Sequence, residues 1–209
     1  MSDVILRVGG LHTIDADIPA FRPTHLIGIL DPDMPVPAAH ALHAGESDDM
    51  LVLRFRDTEA VRDNGPGPDD VAAILRLIDR AMTAAPSRLF IHCHAGASRS
   101  TATAYLALVR RHGVGRAEEA FGELLRVTRK PWPNRRIVGL ADELLGGSGR
   151  LLAPLDAYRA ANPKRLEAYI RLHVRRARRD PSYGERLGMA AWRLTARQIG
   201  RPSRAENEV

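Results

Sequence analysis

The chain is nearly free of cysteine, with one thiol, Cys93, in 209 residues. An intrachain disulfide is therefore impossible, and so is a zinc site built from several thiolates. A lone thiol suits a reducing compartment, and a cytoplasmic protein is the expectation. Lysine is almost missing too, occurring only at positions 130 and 164, so the positive charge is carried by arginine. Aromatic residues make up 5% of the chain. With so little aromatic interleaving, a surface that stacks nucleic-acid bases is not indicated. The longest apolar run, about Ala102–Val109, is far short of the roughly 20 residues of a membrane span. The opening residues, MSDVILRVGG, lack a basic start followed by a long apolar stretch, so no secretory signal is expected.

What is present fits an ordinary folded domain. The chain is 44% hydrophobic and 27% charged, and its length is enough to bury a core without covalent staples. The formal net charge of +6 is unevenly spread. Residues 156–209 hold 13 basic and 6 acidic side chains, whereas residues 1–155 hold 18 and 19. The C-terminal quarter thus carries all the excess positive charge, including Arg171, Arg175, Arg176, Arg178 and Arg179. A run of this kind on an amphipathic helix is ordinarily its solvated face. The functional alternative is docking on an acidic protein, a nucleic acid or an anionic lipid.

The periodicities divide the chain in two. Val4–Val8, Leu26–Leu30, Met50–Phe55 and Leu89–His92 read as strands. Between the last two, Val71, Ile74, Leu75, Ile78 and Met82 recur at helical spacing, with Asp69 or Asp70 as the expected cap. Strands alternating with helices argue for an α/β fold with a central, mostly parallel sheet. After residue 98 the pattern is helical. One segment, Ser98–His112, is apolar on most faces and stops at Gly113. A second runs through Ala117 to Leu125, and a third through Ile137 to Leu145, with Asn134 at its N-cap and Gly146-Gly147 at its end. Two more helices are expected in the tail. Asn162-Pro163 and Asp180-Pro181 would open them, with stripes at Leu166, Tyr169, Ile170 and Val174, then at Tyr183, Leu187, Ala190 and Leu194. The last residues, from about 200, are polar and expected to fray.

The segment from Phe90 to Ser100, FIHCHAGASRS, stands apart. A strand runs into a thiol, then into small residues, then into an arginine that opens a helix. The five residues between Cys93 and Arg99 can wrap a tetrahedral oxyanion with their backbone N–H groups. Small side chains at Ala95, Gly96, Ala97 and Ser98 permit close approach. The following helix aims its N-terminus, with unpaired N–H groups and partial positive charge, into the same space. The Arg99 fork can grip two anion oxygens at once. Positive potential of this kind favours the nucleophilic thiolate over the thiol. Ser100 can donate a hydrogen bond to the sulfur, steadying it as attacker and as leaving group. His94 lines the mouth of the loop or is simply solvated. His92 reads as a structural histidine that hydrogen-bonds the loop and orients Cys93.

His92–Ser100 is similar at every defined position to the H-C-x5-R-S signature of the protein tyrosine phosphatase superfamily. The compact dual-specificity-like branch offers two further resemblances. Its members carry a general-acid aspartate on a loop some tens of residues before the cysteine, which corresponds here to Asp57, directly after a strand. Their Pro-Asn element resembles Pro133-Asn134, and the run Arg129–Arg135, Arg-x-Pro-x-Pro-Asn-Arg, looks like that of a bacterial subgroup. By default Asn134 is a plain N-cap, with a second role beside the loop as the alternative. The resemblance spans about residues 4–150. It implies a phosphatase domain over residues 1–150 with a dual-specificity-phosphatase-like α/β fold, followed by a basic helical extension over residues 151–209.

The implied chemistry is hydrolysis of phosphate monoesters through a cysteinyl-phosphate, with neither cofactor nor metal. Phosphotyrosine in proteins is the first expected substrate, phosphoserine and phosphothreonine the next. The loop between Cys93 and Arg99 carries no Lys or Arg, which speaks against highly charged phosphoinositides. Three other readings use the same residues. The loop could act on the 5′-phosphates of RNA with the basic tail holding the backbone. It could bind phosphorylated partners without turnover. A rhodanese-like sulfur carrier also uses a cysteine loop, but the His-Cys and Arg-Ser frame fits it poorly.

Overall fold

The computed structural model describes residues 4–43 and 49–179. Four strands make one parallel sheet: β1 (Val4–Gly10), β2 (His25–Leu30), β3 (Met50–Arg54) and β4 (Ser87–Cys93), in the order β1-β4-β2-β3. Parallel neighbours need crossovers that return the chain to the same sheet end. Helix α1 (Ile14–Phe21) makes one between β1 and β2, and α2 (Pro68–Thr83) makes another between β3 and β4.

Strand side chains alternate between faces, and β4 shows what this does. Leu89, Ile91 and Cys93 enter a large core with Ile27 and Ile29 of β2. Phe90 enters a smaller core on the opposite face with Leu26, Ile14 and Ile18. Helix α1 covers the small core. The large one is closed by α2, α3 (Arg99–His112), α4 (Ala117–Val127), α5 (Arg135–Leu144) and α6 (Leu152–Ala161). Helix α3 is buried from Arg99 to Val109, its apolar residues in the core and Thr101 and Thr103 bonded to backbone carbonyls.

Three local expectations are corrected. The cap of α2 is Gly67, not Asp69 or Asp70; Pro68 follows it, and the Asp70 carboxylate reaches back to accept from the Gly67 N–H at 2.9 Å. Helix α1 was not expected. It has eight residues with Pro19 inside, and its register shows only in the buried Ile14 and Ile18. Helix α6 was missed for a similar reason, being short and holding Pro154 near its start. Leu155 of α6 and the preceding Leu151 belong to the large core. Buried Asp142 closes the turn before α6 by accepting from the N–H groups of Gly149 at 2.6 Å and Leu151 at 2.9 Å.

The chain divides into two compact units, residues 1–161 and 162–209. The first therefore runs past position 150 and includes α6. Of the second, the described part is helix α7 (Pro163–Arg179), opened by Pro163 and carrying an i,i+4 pair between Glu167 and Arg171. The expected helix after Asp180-Pro181, with Tyr183, Leu187, Ala190 and Leu194, and the polar end from residue 200 lie outside the described residues. Among the described residues no helix is long and apolar enough to cross a membrane.

Candidate active site

Parallel strands bring their C-terminal ends to one edge of the sheet, the usual place for a site in α/β folds. Cys93 ends β4, Asp31 directly follows β2 and Phe55 follows β3, so residues far apart in sequence meet there. The Cys93 side chain is fully buried, with Sγ 3.1 Å from Ser100 Oγ on the first turn of α3.

The loop from Cys93 to Arg99 is held from outside by its carbonyls. The Leu11 N–H donates to the carbonyls of Cys93 at 3.2 Å and His94 at 3.1 Å. The Trp132 N–H donates to Ala97 O at 2.8 Å, and Thr101 Oγ1 to the same oxygen at 2.6 Å. A trans peptide turns its C=O and the next N–H in opposite directions. The N–H groups of His94, Ala95 and Ser98 therefore turn away from these outer partners, into the loop. Gly96 makes the bend at φ +70, and a Cβ there would lie 2.7 Å from Gly9 O. Only glycine meets both demands.

Arg99 is buried and held from behind. Its NH1 donates to Asp31 Oδ1 at 2.8 Å and to Phe55 O at 2.6 Å. Asp31 is fully buried, and His94 Nδ1 lies 3.4 Å from its other oxygen. Burial pushes the Asp31 carboxyl up, but the neighbouring His94 ring and the Arg99 charge outweigh it and hold the group below its ordinary value.

Asp57 sits beside the far end of the loop. Its Oδ1 accepts from Ser98 Oγ at 2.7 Å and from Asn134 Nδ2 at 2.9 Å. Its Oδ2 lies 4.0 Å from Arg99 Nε. Asn134 has two tasks at once. Its Oδ1 caps α5 by accepting from Ile137 N at 3.1 Å, while its Nδ2 faces Asp57 and the Thr58 carbonyl. The arrangement thus gathers Cys93, Ser100, Ser98, Arg99, Asp57 and Asn134 around one loop, with His94 at its Asp31 side.

His92 keeps a backbone interaction with Cys93, but its side chain is not among this group. On the opposite face of β4, its Nε2 lies 2.6 Å from Nε2 of buried His40. Such a contact needs one ring to donate and the other to accept, so at most one of the two can be charged. Burial is the main reason their pKa values fall to about 4 for His40 and about 3 for His92. Gly28 makes room for the pair, since a Cβ there would lie 2.7 Å from His40 and 2.8 Å from His92.

Sequence reasoning missed Asp31, His40 and the hydroxyl of Ser98. Asp31 directly follows the Leu26–Leu30 strand, but nothing local sets it apart from other carboxylates. Nothing in the sequence ties His40 to His92.

No family model matches the chain, and no curated protein matches it in sequence. Solved structures do. The PTP-2 phosphatase of Cydia pomonella aligns over 65% of this chain and 83% of its own, with TM-score 0.53 and 21% identity. PTPMT1, solved in complex with PI(5)P, aligns over 70% of this chain and 94% of its own, with TM-score 0.50 and 13% identity. This chain shares the fold of these two proteins.

Proposed function

We propose that this protein hydrolyses phosphate monoesters, with phosphotyrosine in proteins as the first substrate and phosphoserine and phosphothreonine next. One observation carries the reading. A buried thiol at the start of an anion-sized loop and a carboxylate at its end, held by Ser98 and Asn134, flank the same arginine.

The reaction follows from the roles these groups can take. Cys93 Sγ attacks phosphorus while the loop N–H groups and Arg99 bear the equatorial oxygens. The bond from phosphorus to the ester oxygen breaks as Asp57 delivers a proton to that oxygen, leaving a cysteinyl-phosphate. Asp57, now a carboxylate, takes a proton from water. The water oxygen bonds to phosphorus, the S–P bond breaks and inorganic phosphate leaves. Ser100 donates to the sulfur as it departs.

The test is hydrolysis of an aryl phosphate across pH, in the presence of a chelator, by wild type, Cys93→Ser and Asp57→Ala. Turnover is expected to vanish in the first variant. In the second it is expected to fall about 10²-fold or more with loss of the basic limb of the pH–rate profile, because a general acid must hold its proton. Wild type that binds phosphate but turns nothing over would reject the catalytic reading in favour of a phospho-binding module.

A further inference from the structure

The loop that carries Asp57 is anchored by α6, the last helix of the first compact unit. We propose that Arg159 of α6 and Glu59 are positioning residues that hold this loop in its catalytic place. The proposal rests on reading Asp57 as the general acid.

Glu59 lies two residues after Asp57, on the irregular stretch between β3 and α2. Its side chain is 43% exposed, and a carboxylate in such a place is ordinarily solvated, with little gained from a surface pair. Here three donors converge on it. The Arg159 guanidinium contacts both carboxylate oxygens, with NH1 3.1 Å from Oε2 and NH2 against Oε1. The Arg135 N–H, at the open end of α5, donates to Oε1 at 3.0 Å.

Arg159 is itself tied down. Its NH2 donates to Pro133 O at 2.7 Å, and its guanidinium carbon lies 4.9 Å from the centre of the Trp132 ring. Trp132 reaches the anion loop through its N–H to Ala97 O, and Asn134 reaches Asp57 through its amide. Two neighbours on α6 fasten the same segment. Tyr158 OH donates to Pro131 O at 3.0 Å, and Asp156 accepts both arms of Arg135 at 2.8 Å. One guanidinium therefore joins the acid loop, the segment before α5 and α6. A long irregular loop without such a tie samples other positions, and displacing a catalytic group by about 1 Å can cost on the order of 10²-fold in rate.

An acid matters in proportion to the basicity of the oxygen it protonates, which separates positioning from general structural support. The experiment compares full-length wild type, Glu59→Gln, Arg159→Lys and Arg159→Met on two substrates. Phenyl phosphate has a strongly basic leaving oxygen, and 4-nitrophenyl phosphate a weakly basic one. The Arg159→Lys variant keeps the charge and loses the fork, and Glu59→Gln, on an exposed side chain, keeps the test valid if Arg159→Met does not fold. Each variant is expected to lower kcat on phenyl phosphate about tenfold and on 4-nitrophenyl phosphate less than about threefold, and to shift the basic limb of the profile. Inhibition by inorganic phosphate should stay unchanged, because neither substituted side chain contacts the anion loop directly. The double variant Glu59→Gln/Arg159→Met should lose less than the sum of the two single losses, as for residues that share a contact.

Equal losses on both substrates, no loss on either, or weakened inhibition by phosphate would overturn the proposal. Wild type active on both substrates and insensitive to Asp57→Ala would overturn the acid assignment and this proposal with it. Wild type inactive on both would overturn the phosphatase reading itself.

Discussion

Lowering the pH from about 7 to about 4.5 loads protons onto the unfolded chain at His40 and His92 but not onto the folded one. Buried against each other, the two rings stay neutral down to about 4 and about 3, whereas an unfolded histidine titrates near 6.5. Above that value neither state is protonated and the pair contributes no pH dependence. Below it the unfolded state binds more protons, so stability falls as pH falls, until the folded rings themselves titrate. Each unit of pH costs about 1.36 kcal/mol per ring. Over two units the pair costs roughly 5 kcal/mol, comparable with the whole stability of many domains, about 5–15 kcal/mol. The assay is urea unfolding at several pH values across this window, for wild type and His40→Asn. Wild type should lose stability more steeply than the variant, by about one proton's slope, since His25, also held low by burial, contributes in both. A flat wild-type profile, or identical slopes in both proteins, would refute the neutral buried pair.

Gly28→Ala should cost about 1–3 kcal/mol in the same assay by overpacking the two rings. Gly96→Ala should abolish phosphate binding measured by calorimetry, since the new Cβ would press on Gly9 O at a positive φ. Asp31→Ala strands a buried arginine and should destabilise by about 3–5 kcal/mol in urea unfolding. Because its folded carboxyl is held low, Asp31 contributes stability above its ordinary value that is lost as pH falls through the folded one, a range lower than that of the histidines. Asn134→Ala should lose about 1 kcal/mol of helix capping and, in steady-state kinetics, lower kcat more than it changes KM.

Local patterns carried a large share of the fold. The strand runs from Val4 to His92 alternate or stay apolar as one or both faces of the sheet are covered, and α3 reads as buried because it is, from Arg99 to Val109. The anion loop was legible for a similar reason. A cradle made of consecutive backbone N–H groups must be encoded by consecutive small residues, and its thiol, arginine and serine are fixed by short spacing along one strand and one helix. Helices α1 and α6 escaped because each is short and broken by a proline, and their burial comes from partners elsewhere.

The remainder of the site depends on where the crossovers return the chain. Asp31 meets Arg99 across 68 positions, Asn134 meets Asp57 across 77, and Arg159 meets Glu59 across 100. Such contacts leave no periodic trace, since a carboxylate after a strand or an arginine on a short helix is an ordinary surface residue until the sheet order is known. From its own residues the chain announced a thiol-based anion loop on an α/β frame. The tertiary fold alone chose the carboxylate that braces the arginine, the ring that faces His92 and the helix that holds the acid loop, because each is a juxtaposition made by long-range packing.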